Sequence, residues 1–308
     1  MYHIIVNPAS RSGKGIQIWK QTIEPALKTR QVDYQVYFSL AEGDVAKLAQ
    51  QILLQYPEET LTFIVLGGDG TVNEFLQGAH DLSRVKLGYI PSGSSNDLAR
   101  DLCIPKNPAD ALDVILNHTQ STPMDVGQVT LADGNTIRFA VSCGIGYDAN
   151  VCEEVAHSKL KKALNRIGLG KLTYLGIALK QIFTSRFVDC TLTLDGGTPI
   201  SMKRLIFIAS MIHRYEGGGF MFCPDADPAD GVLNLCTARN LPKPVIPFIL
   251  PTAFWGKHFF FKNVDAFKGH EIVIEAPVEL WVHTDGEARY KSSRITVSCL
   301  PGAIKMIF

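Results

Sequence analysis

Several short stretches of this 308-residue chain set carboxylates among glycines and hydroxyls, the combination from which phosphate chemistry is built. Val65-Leu-Gly-Gly-Asp-Gly-Thr-Val-Asn-Glu74 packs three glycines around Asp69 directly after an apolar run. Glycine amides at a helix N-terminus can face a phosphate closely, because no Cβ blocks the approach. A carboxylate beside that phosphate is repulsive unless it holds Mg²⁺ or takes a proton. The same residues also suit a plain Asp-Gly turn with Thr71 capping the next helix. Gly88-Tyr-Ile-Pro-Ser-Gly-Ser-Ser-Asn-Asp97 repeats the theme after another strand-like run, with Ser95 or Asn96 as an alternative helix cap. Thr284-Asp-Gly-Glu287 sets Asp285 and Glu287 around a glycine, which is also the sequence of an ordinary hairpin turn. Asp227-Pro-Ala-Asp-Gly-Val232 offers Asp227, Asp230 and the Val232 carbonyl to a hard cation, or is simply a polar loop.

Spacing removes several more familiar chemistries. Ser12-Gly-Lys-Gly15 looks like the end of a Walker A loop, but that motif needs a glycine where Pro8 stands and Ser or Thr where Gly15 stands. A dinucleotide fingerprint starting at Gly68 needs a third glycine at the position of Asn73. Gly93-Ser-Ser95 lacks the last glycine of a serine-nucleophile elbow, and the eight histidines form no H-E-x-x-H.

The elements that would position these residues change character along the chain. Up to about residue 122, strand-like runs (3–6, 34–38, 61–66, 85–90) alternate with helical periodicity (15–29, 44–56, 72–79), as in a parallel sheet covered on both faces. In such sheets ligands bind at the carboxyl ends of the strands, where both glycine-rich turns fall. From about residue 123 the pattern becomes short alternating runs punctuated by Asp133-Gly134 and Asp195-Gly196, read as hairpins of a largely antiparallel second domain. The expected division is 1–122 and 123–298. Two helical stretches, around 159–184 and 242–252, interrupt the second part.

Composition is that of a globular protein: 46% hydrophobic, 19% charged, with a formal net charge of zero. Nothing global indicates nucleic acid as a partner. Seven scattered cysteines without a C-x-x-C pair suggest reduced buried thiols, and no secretory signal or membrane span is evident, so the expected location is cytoplasmic. Residues 155–188 contain no acid but seven Lys or Arg, so the basic segment 157–186 could rest transiently on an anionic bilayer or be a solvated helix face. Nothing decides between a monomer and a homodimer.

The ordered set Asn7-Pro8, Gly67-Gly-Asp-Gly-Thr-Val-Asn-Glu74, Pro91 to Arg100, Asp125-Val-Gly127, Gly144-Ile-Gly-Tyr-Asp-Ala149, Gly217-Gly-Gly219, Asp230-Gly-Val-Leu233 and Asp285-Gly-Glu287 resembles the diacylglycerol kinase catalytic-domain lipid kinases. That group includes the bacterial diacylglycerol kinases and the sphingosine and ceramide kinases. The glycine-aspartate turn is shared more distantly with NAD kinases and phosphofructokinases. The resemblance implies an α/β nucleotide-binding domain and a larger, mostly antiparallel β-rich lipid-acceptor domain, with ATP in the cleft between them. It also implies that residues 299–308 return to the first domain, and that a lipid hydroxyl accepts the γ-phosphoryl group. Carried over by position, ATP meets Asn7, Pro8, Ala9, Ser10, Arg11, Ser39, Gly67, Gly68, Asp69, Gly70, Thr71, Val72, Asn73 and Ser94. Ser39 and Ser94 stand where the family commonly has Thr. Glu287 falls at the proton acceptor, with Asp285 beside it. Asp69 and Asp125 match acids associated with catalytic Mg²⁺, and Asp227, Asp230 and Val232 match a structural Mg²⁺ site. The acceptor this resemblance implies is diacylglycerol, giving phosphatidic acid, with phosphatidylglycerol, a sphingoid base or ceramide as the alternative lipids. A kinase for a soluble alcohol such as NAD, or a non-catalytic nucleotide- or lipid-binding module, are the more distant rival expectations.

Overall fold

A computed structural model of the chain describes residues 1–118, 120–157 and 170–308, with the backbone alone for 170–175. Most of the basic segment 157–186 therefore lies outside the described side chains. Contacts divide the chain into two compact units, Met1–Val126 with Pro301–Phe308, and Gly127–Leu300. The fold is an α/β unit followed by an antiparallel β-rich one.

Unit 1 is a parallel sheet. β1 (Tyr2–Val6) lies between β2 (Tyr34–Phe38) and β3 (Leu61–Gly67), and β4 (Val85–Pro91) flanks β3. Residues Lys305–Ile307 add a further parallel neighbour to β4. β3 and β4 are buried almost continuously, as strands covered on both faces must be, whereas β2 is only partly covered. The helices α1 (Ser10–Ile18), α2 (Glu24–Thr29), α3 (Asp44–Gln55), α4 (Asp69–Gly78), α5 (Asp97–Asp101) and α6 (Pro108–Asn117) occupy the connections. α3 buries Val45, Ala49, Ile52 and Leu53, one stripe at helical spacing. It meets α4 so closely that a Cβ on Gly78 would stand 1.9 Å from the Ala46 carbonyl oxygen. Glycine at 78 is thus a condition of that packing. α6 starts at Asn107, whose side chain accepts the Ala109 N–H, with Pro108 at its first position.

Unit 2 is built on an antiparallel sheet. Its path runs β11 (Val264–Gly269), β10 (Leu233–Arg239), β9 (Ile200–Met211), β7 (Ser142–Gly146), β12 (Glu271–Thr284) and β13 (Glu287–Ile307). β8 (Val188–Leu194) pairs with β9 and β12, and β6 (Thr136–Phe139) pairs with β5 (Thr122–Leu131). Alternation sends Leu233 and Leu235 of β10 into one core with Phe139, Leu192 and Ile272, and Cys236 and Ala238 into a second. The second core packs against α7 (Tyr147–His157) and α8 (Gly170–Thr184).

The Asp133-Gly134 and Asp195-Gly196 hairpins are both present, joining β5 to β6 and β8 to β9. The alternating pattern of the sequence reads 136–142 as one strand and 271–275 and 280–284 as two, and both expectations are corrected. The run 136–142 is not one strand, because the N–H groups of Ala140, Val141 and Ser142 turn to the Asp285 carboxylate. The runs 271–275 and 280–284 are one strand, β12, interrupted by a register shift around Pro277, which has no N–H for the ladder.

Candidate active site

The carboxyl ends of β1, β2, β3 and β4 carry the loops beginning at Asn7, Ser39, Gly68 and Ser92. β1 has β2 on one side and β3 on the other, all parallel, so the strand order reverses between β1 and β3, the usual place for a ligand in such a sheet. Three bonds hold these loops in register. Asn7 Nδ2 donates to Thr71 Oγ1 at 3.0 Å, Ser10 and Ser92 share a hydroxyl contact at 2.8 Å, and the Ser92 N–H reaches the Gly67 carbonyl at 2.7 Å. Thr71 Oγ1 also accepts the Gly68 N–H, so its hydroxyl closes the turn upon itself.

Gly68 and Gly93 then touch backbone to backbone. A Cβ on Gly93 would lie 2.6 Å from Gly68 Cα, and one on Gly68 would lie 3.0 Å from Gly93 Cα. The two glycine-rich turns therefore form one bare main-chain surface. Asp69 opens α4 beside it, half-buried, its Oδ2 accepting the Asp97 N–H at 2.9 Å and its Oδ1 facing Tyr89 OH at 3.5 Å. Burial, with the charge of Asp69 second, pushes the Tyr89 hydroxyl well above its ordinary pKa, so it stays a proton donor to that carboxylate. Asn96, at φ 50°, ties the second turn by accepting from Gly93 N and Tyr89 OH.

The expected nucleotide residues divide into two groups. Pro8, Ala9, Ser10, Arg11, Ser39, Gly67, Gly70 and Ser94 join Asn7 and Gly68 in or at the loops on this edge. Arg11, Ser12 and Gly13 follow in left-handed conformation, so α1 becomes regular only beyond them. Val72 and Asn73 face inward, 1% and 6% exposed, and Gln77 donates to Asn73 Oδ1. They support the turn and do not line its surface. Asp125 is also buried, at 1% exposure, and accepts the Gly302 N–H at 2.7 Å. Its position makes it a brace for the C-terminal segment.

In unit 2, Asp285 and Gly286 form the two-residue turn between β12 and β13, with φ values of 50° and 83°. The Asp285 carboxylate accepts three backbone N–H groups, those of Ala140, Val141 and Ser142, at 2.7–3.0 Å. Asp285 bolts the turn in place, and Glu287 follows it half-exposed, 3.8 Å from Arg289. Asp227 and Asp230 sit in an exposed turn, each accepting a backbone N–H two residues on, from Ala229 and Val232.

A cluster absent from the sequence reading lies nearby in this unit. The fully buried His283 directs Nε2 to Asp148 Oδ2 at 3.1 Å and to Glu216 Oε1 at 3.2 Å. Burial alone would disfavour the charged ring, but the Glu216 and Asp148 carboxylates, and then Asp285, outweigh it and raise the pKa to about 9. The Gly286 N–H stands 3.4 Å from Nδ1, a long contact that a doubly protonated ring would give up. The ligand-capable atoms of the three residues all lie within 4.8 Å of one another, close enough to share a cation as well. Gly144 makes room: a Cβ there would lie 2.2 Å from Asp148 Oδ2 and 2.3 Å from His283 Nε2. The signals were available, since Asp148 ends Gly-Ile-Gly-Tyr-Asp and His283 precedes Thr-Asp-Gly-Glu.

Residues 1–129 match the diacylglycerol kinase catalytic domain, and residues 141–308 match the YegS C-terminal NAD kinase beta sandwich-like domain. The chain is 26% identical over 290 residues to the "Putative lipid kinase YtlR" of Bacillus subtilis, covering 93% of each. It is 26% identical over 304 residues to a diacylglycerol kinase of Mycobacterium tuberculosis, covering 98% of this chain and 93% of that one. A crystal structure of "a putative diacylglycerol kinase" from Bacillus anthracis superposes with TM-score 0.77 at 26% identity, covering 100% and 96%. With both domains matched in order across nearly its whole length, the chain belongs to the diacylglycerol kinase catalytic-domain family of lipid kinases.

Proposed function

We propose that the acceptor is the free hydroxyl of a diacylglycerol, giving phosphatidic acid, and that ATP binds on the β1, β2, β3 and β4 loops of unit 1. The observation that carries the nucleotide site is the Gly68–Gly93 contact, which leaves main chain without side chains beside a held carboxylate. Amides of such a surface at the start of α4 suit an anion, and the hydroxyls of Ser10 and Ser94 add donors. The diacylglycerol reading is supported by the name of the Mycobacterium tuberculosis relative, which aligns over nearly the whole chain.

The residues fit a hard cation: the Asp69 donors are oxygens, and its carboxylate is already oriented by Asp97 N–H and Tyr89 OH. Mg²⁺ held by Asp69 would supply charge neutralisation at the transferring phosphoryl group. Asp227, Asp230 and the Val232 carbonyl are the candidates for a second, structural cation. The chain's own chemical task is to orient the acceptor hydroxyl and take its proton, since an alcohol is a weak nucleophile at neutral pH. Glu287 and Asp69 are the two candidates for that base. Asp285 acts as a positioning residue, holding the turn from which Glu287 projects. Asp125 acts through the segment it braces.

The test is incubation with γ-labelled ATP and Mg²⁺ against diacylglycerol, phosphatidylglycerol, ceramide, a sphingoid base and NAD. Label in phosphatidic acid is expected; label only in another product overturns the acceptor assignment. Asp69→Asn and Glu287→Gln should each slow turnover on that acceptor, by about 10²–10⁴-fold for whichever residue is the base. Wild-type turnover in both variants would refute the assignment of either as base.

A further inference from the structure

Residues 241–264 of unit 2 contain three lysines and no acid, and they display an unusual amount of aromatic surface. The segment folds as a chain of short turns, Lys243–Val245, α9 (Ile246–Ile249), Leu250–Trp255 and His258–Phe260. One side of it is anchored: Leu241, Ile246 and Ile249 belong to the core beneath α7 and α8, and Ala253 and His258 are buried. The other side is bare. Phe248 is 78% exposed, Trp255 68% and Phe260 84%, with Phe254 and Phe261 also exposed.

These side chains are held outward. Pro242, Pro244, Pro247 and Pro251 fix the backbone, and the Met221 N–H ties the segment through the Ala253 carbonyl at 2.8 Å. Gly256 turns at φ 65° against Pro224. Phe254 stacks on Phe220 with centroids 4.0 Å apart, and Trp255 packs edge-on to Phe254. Lys243 is used locally, donating to the carbonyls of Phe183 and Ser185 at the end of α8. Lys257 and Lys262 remain exposed among the aromatics.

Apolar rings and a tryptophan above buried anchors, with cations and no anions between them, match the chemistry of a bilayer headgroup boundary. The rings enter the acyl edge while the lysines meet anionic headgroups. Among the described residues no helix is long and apolar enough to cross a membrane. We propose that residues 245–262 are a docking face for an anionic lipid bilayer. The inference rests on the lipid-kinase family only for why a bilayer is at hand. The assignment does not depend on the basic segment 157–186.

The experiment is co-sedimentation of the full chain with vesicles of phosphatidylcholine alone or with added phosphatidylserine, without ATP or acceptor. Binding to the anionic vesicles that weakens with salt is expected. Phe248→Ser with Trp255→Ser should lower partitioning at least about ten-fold, while turnover of a short-chain, water-dispersed acceptor stays near wild type. Should that variant fail to fold, Lys257→Gln with Lys262→Gln decides, with an expected loss of about five-fold per lysine on anionic vesicles and little on neutral ones. Absence of wild-type binding, or unchanged binding in the variant that folds, overturns the proposal. So does a wild-type dimer that the aromatic substitutions split into monomers, since the face would then serve a second copy of the chain. Because binding is read without catalysis, its failure is distinguishable from failure of the diacylglycerol assignment.

Discussion

Raising the pH should loosen unit 2 around His283, and the size of the effect follows from the geometry. The ring is fully buried between Asp148 and Glu216, and its pKa rises from 6.5 to about 9. A group whose folded pKa exceeds its unfolded value contributes stability below the unfolded pKa and loses it as pH climbs through the folded one. The window here is pH 6.5 to 9. A gap of about 2.5 units at 1.36 kcal/mol each gives on the order of 3 kcal/mol, fully present near pH 6 and nearly gone above pH 9. His283→Gln removes the titrating group and leaves two partly buried carboxylates facing each other. Wild type and variant would be unfolded in urea at matched pH values, with the imidazole followed directly by NMR titration. The stability difference should shrink by about that amount between pH 6 and 9.5, and the ring should titrate near 9. A ring titrating at or below 6.5, or a difference that does not vary with pH, refutes the imidazolium reading. A divalent cation that stabilises wild type but not the variant at pH 7 refutes it too, because a metal-bound imidazole carries no second proton.

Two further outcomes bear on the turns. Gly93→Ala drives a Cβ to 2.6 Å from Gly68 Cα, so thermal stability should fall by about 1–3 kcal/mol and KM for ATP should rise, read by melting and steady-state kinetics. Asp285→Ala leaves three N–H groups without their acceptor and puts alanine at φ 50°; a loss of about 3 kcal/mol or more is expected by urea unfolding, and Asp285→Asn should recover part of it.

The α/β unit was the more legible of the two because its strands are buried on both faces and appear as unbroken apolar runs between helical stripes. Leu61–Gly67 and Val85–Pro91 are of that kind. In unit 2 the local pattern was ambiguous where long-range bonds decide the ends of elements. Asp285 divides the run 136–142 from a distance of more than a hundred residues, which no window of neighbouring residues contains. Helix α7 escaped notice because its buried positions, among them Tyr147, Val151 and Val155, follow directly on a strand and a glycine at φ 99°. The glycine-rich turns announced a bare surface, but only the pairing of β3 with β4 brings Gly68 against Gly93. The His283 cluster needs the fold for a like reason: each of its members stands in a readable motif, but the three motifs are far apart in the chain and each is explained locally by its glycines.

The neighbour that Lys305–Ile307 gives to β4 has a consequence for synthesis of the chain. Residues 1–126 leave the ribosome first, yet their sheet lacks this last strand, and Asp125 lacks the Gly302 N–H, until residues 301–308 have been made. At about 5–20 residues per second, the edge of β4 waits about ten to forty seconds for its neighbour. During that interval the nascent unit is a natural client for chaperones that shield exposed strand edges.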